Sequence, residues 1–286
     1  MRILISAAIL AFTCAAQEPT PAPEALPVPK AHFHHIHLNS TDPAAAIEFY
    51  THKFDCEKAK YDHADAVWAQ KSWLLFNKVK EAPPSDIVST IWHFGWGAED
   101  MLGTYKKQLD SGTKFQEPIR DISDMLGRPD GSFFFAYVDG PDHALIELNT
   151  APHHHFGHIH LLSEDPIAAA EWYKKYFGIS LGTVSRQPRV YHGVHISPMA
   201  SFMMDNINFI IFPMDYARDA MPDRWKDRKG FEPTEGRVVD HLAFGVDDLP
   251  ATLARLRKDG VKVTDGNFVE GPDHIRIELI QGEAHR

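Results

Sequence analysis

The chain has 286 residues, of which 44% are apolar and 24% charged, and carries a formal net charge of −10. That composition suits one large or two ordinary globular domains and excludes a disordered or collagen-like chain. The acidic balance argues against a nucleic-acid partner, which requires a basic face, whereas the 18 histidines point toward transition-metal chemistry.

Residues 1–16 (MRILISAAILAFTCAA) place Arg2 before an apolar run from Ile3 to Phe12 and small residues Cys14-Ala15-Ala16. This is the pattern of an export signal cut before Gln17, too short to span a bilayer. The expectation is a periplasmic or extracellular protein, with lipidation at Cys14 disfavoured by the Ala11-Phe12-Thr13 context. Residues 17–31 are proline-rich and read as an extended tether. Removal of the signal would leave Cys56 alone, so no internal disulfide is expected.

From residue 32 the chain repeats itself. His35-Ile36-His37-Leu38 through Tyr50 returns at His158-Ile159-His160-Leu161 through Tyr173, with eleven of sixteen positions identical. Gly140-Pro141-Asp142-His143 opens a closing string that returns at Gly271-Pro272-Asp273-His274. Two homologous halves follow, 32–151 and 152–286. Each divides again, because Ile91–Gly97 and Val239–Gly245 resemble the opening strands. The coarse order, given four times, is strand, helix, then several strands: an α+β chain of four modules. Asp42-Pro43 and Asp165-Pro166 are expected helix starts, Gly178 and Gly260 expected stops. Ile47, Tyr50 and Phe54 share one helical face, as do Leu249, Leu253 and Leu256.

Strand alternation predicts which side chains leave the core. Ile36 and Leu38 face one way, and His35, His37 and Asn39 the other. In the closing strands Ile146 and Leu148 oppose Glu147, while Ile275, Ile277 and Leu279 oppose Arg276 and Glu278. A carboxylate in mid-strand is costly to bury unless paired or bound to metal. His35, His93, His158 and His241 each precede an acidic residue by seven positions (Asp42, Asp100, Asp165, Asp248). Four histidines at one structural position form the most specific pattern in the chain.

The repeated opening and closing strings resemble the vicinal oxygen chelate superfamily, which includes glyoxalase I, bleomycin-resistance proteins and type I extradiol dioxygenases. The resemblance spans roughly residues 32–281. It implies βαβββ modules paired into two cup-shaped domains with a divalent metal on the cup floor. The implied ligands are His35, His93 and Glu147 in the first half, and His158, His241 and Glu278 in the second. The modules could instead pair first with fourth and second with third, regrouping the same six residues. Two histidines and a carboxylate suit Fe(II), with Mn or Zn as alternatives.

Two reactions fit such a centre: extradiol cleavage of a catechol-like substrate with adjacent oxygens, and glyoxalase-type proton transfer. Glyoxalases take a second carboxylate that Ser72–Asn77 and Asn206–Phe212 do not offer, which favours the dioxygenase reading. Tyr137, ten residues before Glu147, resembles the tyrosine that bonds substrate in extradiol enzymes; Phe268 holds its place in the second half. His37 and His160 share the cavity face and are acid–base candidates, and His195 could face the second cup. His143 and His274 read as turn residues, and His153, His154 and His155 as a linker. The competing class is a drug-binding protein of the same fold without catalysis. The expected partner is a small molecule, with no nucleic acid and no membrane span; assembly into a homo-oligomer is left open.

Overall fold

The computed structural model describes residues 28–84, 88–264 and 266–286, so the expected export signal and most of the tether lie outside the described residues. The first module contains β1 (His32–Ser40), α1 (Pro43–Lys53), β2 (Glu57–Tyr61), β3 (Ala64–Trp68) and β4 (Trp73–Lys78). The second contains β5 (Ile91–Ala98), α2 (Met101–Asp110), β6 (Arg120–Asp121), β7 (Phe134–Asp139) and β8 (Leu145–Thr150). The third contains β9 (Phe156–Ser163), α3 (Pro166–Phe177), β10 (Leu181–Tyr191), β11 (Val194–Met204) and β12 (Ile207–Pro213). Two short helices follow, α4 (Met214–Ala220) and α5 (Pro222–Trp225). The fourth module contains β13 (Val239–Val246), α6 (Leu249–Lys258), β14 (Val263–Thr264), β15 (Phe268–Glu270) and β16 (Arg276–Gln281). Among the described residues no helix is long and apolar enough to cross a membrane.

The four acidic landmarks recur because each caps a helix. Asp42, Asp100, Asp165 and Asp248 accept hydrogen bonds from the backbone N–H groups of Ala45, Gly103, Ile167 with Ala168, and Ala251. Those N–H groups have no intrahelical partner, and a capping carboxylate contributes about 1 kcal/mol. Gly178 ends α3 in the left-handed conformation, φ +61°, as a helix stop requires.

Two eight-stranded sheets form, in the orders β14-β15-β16-β13-β1-β4-β3-β2 and β10-β11-β12-β9-β5-β8-β7-β6. The modules therefore pair first with fourth and second with third, so the grouping of ligands by sequence halves is corrected. The connections give the reason. Only residues 151–155 separate β8 from β9, which holds the third module beside the second, with β5 antiparallel to β9. The longer passage 214–238 lets the chain cross back between sheets.

The sheets and helices enclose a large apolar core, with two smaller clusters beside it. Ile36, Leu38, Ile47, Tyr50, Ile146, Leu148, Ile277 and Leu279 lie in it, as alternation predicts. Phe33 on β1 packs edge-on against Phe156 and Phe209 of the other sheet, centroids 6.1 and 5.8 Å apart; such a ring contributes about 2 kcal/mol on burial. The repeated Gly-Pro-Asp-His turns latch the sheets together. Asp142 accepts from the hydroxyls of Ser40 (2.6 Å) and Thr41 (2.5 Å), and Asp273 accepts from the Glu164 N–H at 3.1 Å. His143 and His274 have φ of +71° and +62°, which makes them turn residues.

Candidate metal centres

Strict alternation fails at one place in every opening strand. The pairing of β1 with β13 skips His34 and Asp240, and the pairing of β5 with β9 skips Trp92 and Gly157. Each skipped residue immediately precedes one of the four register histidines. A bulge leaves one residue unpaired and re-aims its neighbours, so both it and the following histidine can reach the same side of the sheet.

One centre, A, draws His93 from β5, Glu147 from β8, and His158 and His160 from β9. One donor atom of each lies within 4.8 Å of the others, and all four residues are buried. His93 Nε2 is 3.1 Å from Glu147 Oε2, and His158 Nε2 is 3.5 Å from Glu147 Oε1. The second centre, B, draws His35 and His37 from β1, His241 from β13 and Glu278 from β16. His35 Nε2 and His241 Nε2 each lie 3.4 Å from Glu278 Oε2, and the three histidines form a ligand group of their own.

A metal fits both sets. Among the described residues, Nε2 of His35, His93, His158 and His241 is buried without a hydrogen-bond partner, although a carboxylate oxygen stands within 3.5 Å of each. Buried polar atoms are normally satisfied, so nitrogens turned toward a common point beside a carboxylate suit a cation. Burial also keeps these imidazoles neutral, as ligation requires: it lowers the pKa of His35 and His93 to about 3 and that of His158 to about 4. His241 goes the other way. Burial opposes its charged form, but the adjacent Asp240 and Glu278 carboxylates raise its pKa. For Glu278 burial opposes ionisation, yet the adjacent imidazoles of His241 and His35 hold it well below the carboxylate range.

The remaining predicted residues fall as follows. Tyr137 lies opposite Glu147 in the β7–β8 pairing, its ring 5.2 Å from that of His93. Burial and then the Glu147 charge push its phenol pKa well above the usual value, so it is a hydrogen-bond donor. Phe268 holds the matching place opposite Glu278. His160 stacks on His93 at 4.5 Å, and His37 lies 4.6 Å from His241. Burial lowers His37 to about 4 and His160 well below its ordinary value. His195 joins neither group, which corrects its placement facing a cup. On the long β10–β11 hairpin it meets Asp219 of α4, Nδ1 to Oδ2 at 2.6 Å, and that pair is partly solvent-exposed.

Sequence reasoning missed the bulge residues, whose signal was available in the position before each register histidine. It also missed Asn149 and Asn267, which donate to Glu147 at 2.9 Å and Glu278 at 3.2 Å, and Tyr216. That last residue, on α4, closes an aromatic wall beside centre A with Trp92 (4.5 Å) and Phe212 (5.5 Å).

The position a second carboxylate would take is apolar in both centres. Glu147 pairs with Gly95, two residues past His93, and Glu278 with Ala243, two past His241. The matching partners of His160 and His37 are Ile210 and Leu75.

Residues 32–148 and 157–278 each match a family model described as the glyoxalase/bleomycin resistance protein/dioxygenase superfamily. No curated protein matches the chain in sequence. Glyoxalase I from Zea mays is similar in structure, with a TM-score of 0.61 at 13% identity over 88% of this chain and 92% of that one. A Bacillus subtilis protein described provisionally as a dioxygenase gives 0.57 at 13% identity, over 88% and 86%. At such identities the likeness is one of fold.

Proposed function

Since the chain belongs to the glyoxalase/bleomycin resistance protein/dioxygenase superfamily in both halves, we propose that it is an exported metal-dependent enzyme of the extradiol dioxygenase type. Its substrate is a small catechol-like molecule held by two adjacent oxygens at centre A, and its metal is Fe(II). The observation that carries this reading is the set of donors at the register positions, His93, His158 and Glu147, with Ile210 where a second carboxylate would stand. That set leaves coordination positions open, the arrangement of non-haem Fe(II) oxygenases. The metal would supply Lewis acidity toward the chelated oxygens and a binding position for dioxygen.

The chain's own residues supply the rest. Tyr137, protonated at any physiological pH, donates a hydrogen bond to a substrate oxygen as charge grows there. His160 is neutral and can accept a hydrogen bond from a substrate hydroxyl. Trp92, Phe212 and Tyr216 offer an aromatic wall that suits an apolar ring and excludes water. A second reading, glyoxalase-type isomerisation, is favoured by one observation: His160 offers a nitrogen within 4.8 Å of the other donors. As a fourth ligand it would leave a Lewis-acid centre with fewer open positions.

The test is oxygen uptake by protein purified without oxygen and loaded with Fe(II), offered a panel of catechols and 2-oxoaldehydes. Ring cleavage with oxygen consumption supports the first reading; turnover of an oxoaldehyde without oxygen sinks it. Export rests on residues 1–16 and is checked by N-terminal sequencing from the native host. A mature start near Gln17 is expected, and an intact Met1 on a cytosolic product overturns it.

A further inference from the structure

We propose that Asp240 is a positioning residue that makes centre B the tighter of the two metal sites. The inference goes beyond the catalytic reading of centre A and does not depend on it. It rests on what the bulges place behind each histidine. In centre B the skipped residues are Asp240 and His34; in centre A they are Trp92 and Gly157. The same backbone device therefore delivers a carboxylate and an imidazole to one centre, an indole and a bare backbone to the other.

Asp240 Oδ1 accepts from His241 Nδ1 at 2.7 Å, which leaves Nε2 as the free donor facing Glu278. The carboxylate is itself held from three other directions. Arg276 donates to Oδ1 at 2.8 Å, the Gly236 N–H to Oδ2 at 2.8 Å, and Asn39 approaches Oδ2 at 3.4 Å. Arg276 is fixed in turn by lying 3.8 Å over the Phe268 ring. His35 is also supported, its Nδ1 standing 3.0 Å from His34 Nδ1. With Nε2 turned to the metal, the His35 Nδ1–H donates to His34.

Among the described residues centre A has no such support: His93 Nδ1 is buried without a partner there, and His158 Nδ1 meets Asn149 at 3.5 Å. An outer carboxylate on a ligating imidazole fixes its tautomer and orientation and raises its basicity; losing one costs about 10–100-fold in metal affinity. Two centres with matching inner donors should therefore differ by roughly that factor. The guanidinium on Phe268 occupies the side of centre B where centre A has Leu145 and Tyr137. Centre B thus has the marks of a metal-holding site.

The experiment is a Co(II) and Zn(II) titration of the full-length metal-free chain against a competing chelator, with Co(II) absorption as the second readout. Two affinity classes are expected. Glu278→Gln should remove the tight class and Glu147→Gln the weak one. Asp240→Asn, similar in volume, should weaken the tight class by about 10–100-fold and change its Co(II) spectrum, leaving the weak class unaltered. If Asp240→Asn fails to fold, Arg276→Met, which frees the carboxylate, should weaken the same class. Equal classes, a tight class lost with Glu147→Gln, or unaltered binding in the folded variant would overturn the proposal. Normal binding without turnover of any substrate would count only against the catalytic reading.

Discussion

A Cβ placed on Gly95 would lie 2.3 Å from Cε1 of His158, so the ligand imidazole occupies the space that any side chain at residue 95 would need. The same Cβ would meet the Glu147 carbonyl oxygen at 2.3 Å, and neither neighbour is a flexible side-chain end. Gly95→Ala should displace His158 and remove the metal of centre A while centre B keeps its own. Metal analysis of the purified variant checks this; an undiminished content at both centres would show that His158 does not ligate from its present position.

The pairing of modules makes a prediction that the linear repeat reverses. His93→Ala combined with His158→Ala should cost one metal per chain, because both belong to centre A. His35→Ala combined with His93→Ala should cost two, one from each sheet. A grouping by halves expects the opposite result, so stoichiometry in these two double variants decides between them.

Tyr137→Phe should retain metal and lower turnover by roughly a hundredfold, the effect of losing one positioned donor at about 3 kcal/mol. Phe268→Tyr should not raise it, since Arg276 already covers that ring. Steady-state rates with an active substrate, normalised to bound metal, measure both.

Acid should destabilise the metal-free protein early. His34 and His37, with folded pKa values lowered to about 4 by burial, and His35 and His93, lowered to about 3, bind protons more readily once unfolded. Their contribution is complete above the unfolded value of 6.5 and is lost as pH falls toward 4 and then 3. Each such histidine adds a slope of up to ~1.4 kcal/mol per pH unit; His241, with its raised value, opposes it. Urea denaturation between pH 7 and 4 should show falling stability, and a flat profile would mean that these imidazoles are solvated.

The latch between sheets should also be measurable. Asp142→Ala removes the acceptor for Ser40 and Thr41, and bonds to a charged group contribute about 2 kcal/mol. Denaturant midpoints should fall accordingly, with metal content retained.

Sequence alone determined the modules, the helix starts and the register of the four histidines, while the family resemblance implied the six ligand candidates. Those features are local: a capping carboxylate acts on the next three residues, and alternation along a strand needs no knowledge of its partner. The fourfold spacing of histidine and aspartate was legible because each Asp caps the helix that its own strand leads into. Which ligands meet was a tertiary decision. His93 faces Glu147 along its own module but finds His158 through pairing of β5 with β9, whereas His35 crosses most of the chain to reach His241 and Glu278. Hydrogen bonding at strand edges carries no residue code, so the length of the connections, not the pattern of side chains, assigned the partners. The bulges were hidden for the same reason, since an unpaired residue exists only relative to the strand beside it. By placing Asp240 behind His241 and Trp92 beside His93, that pairing gave two nearly identical donor sets different surroundings.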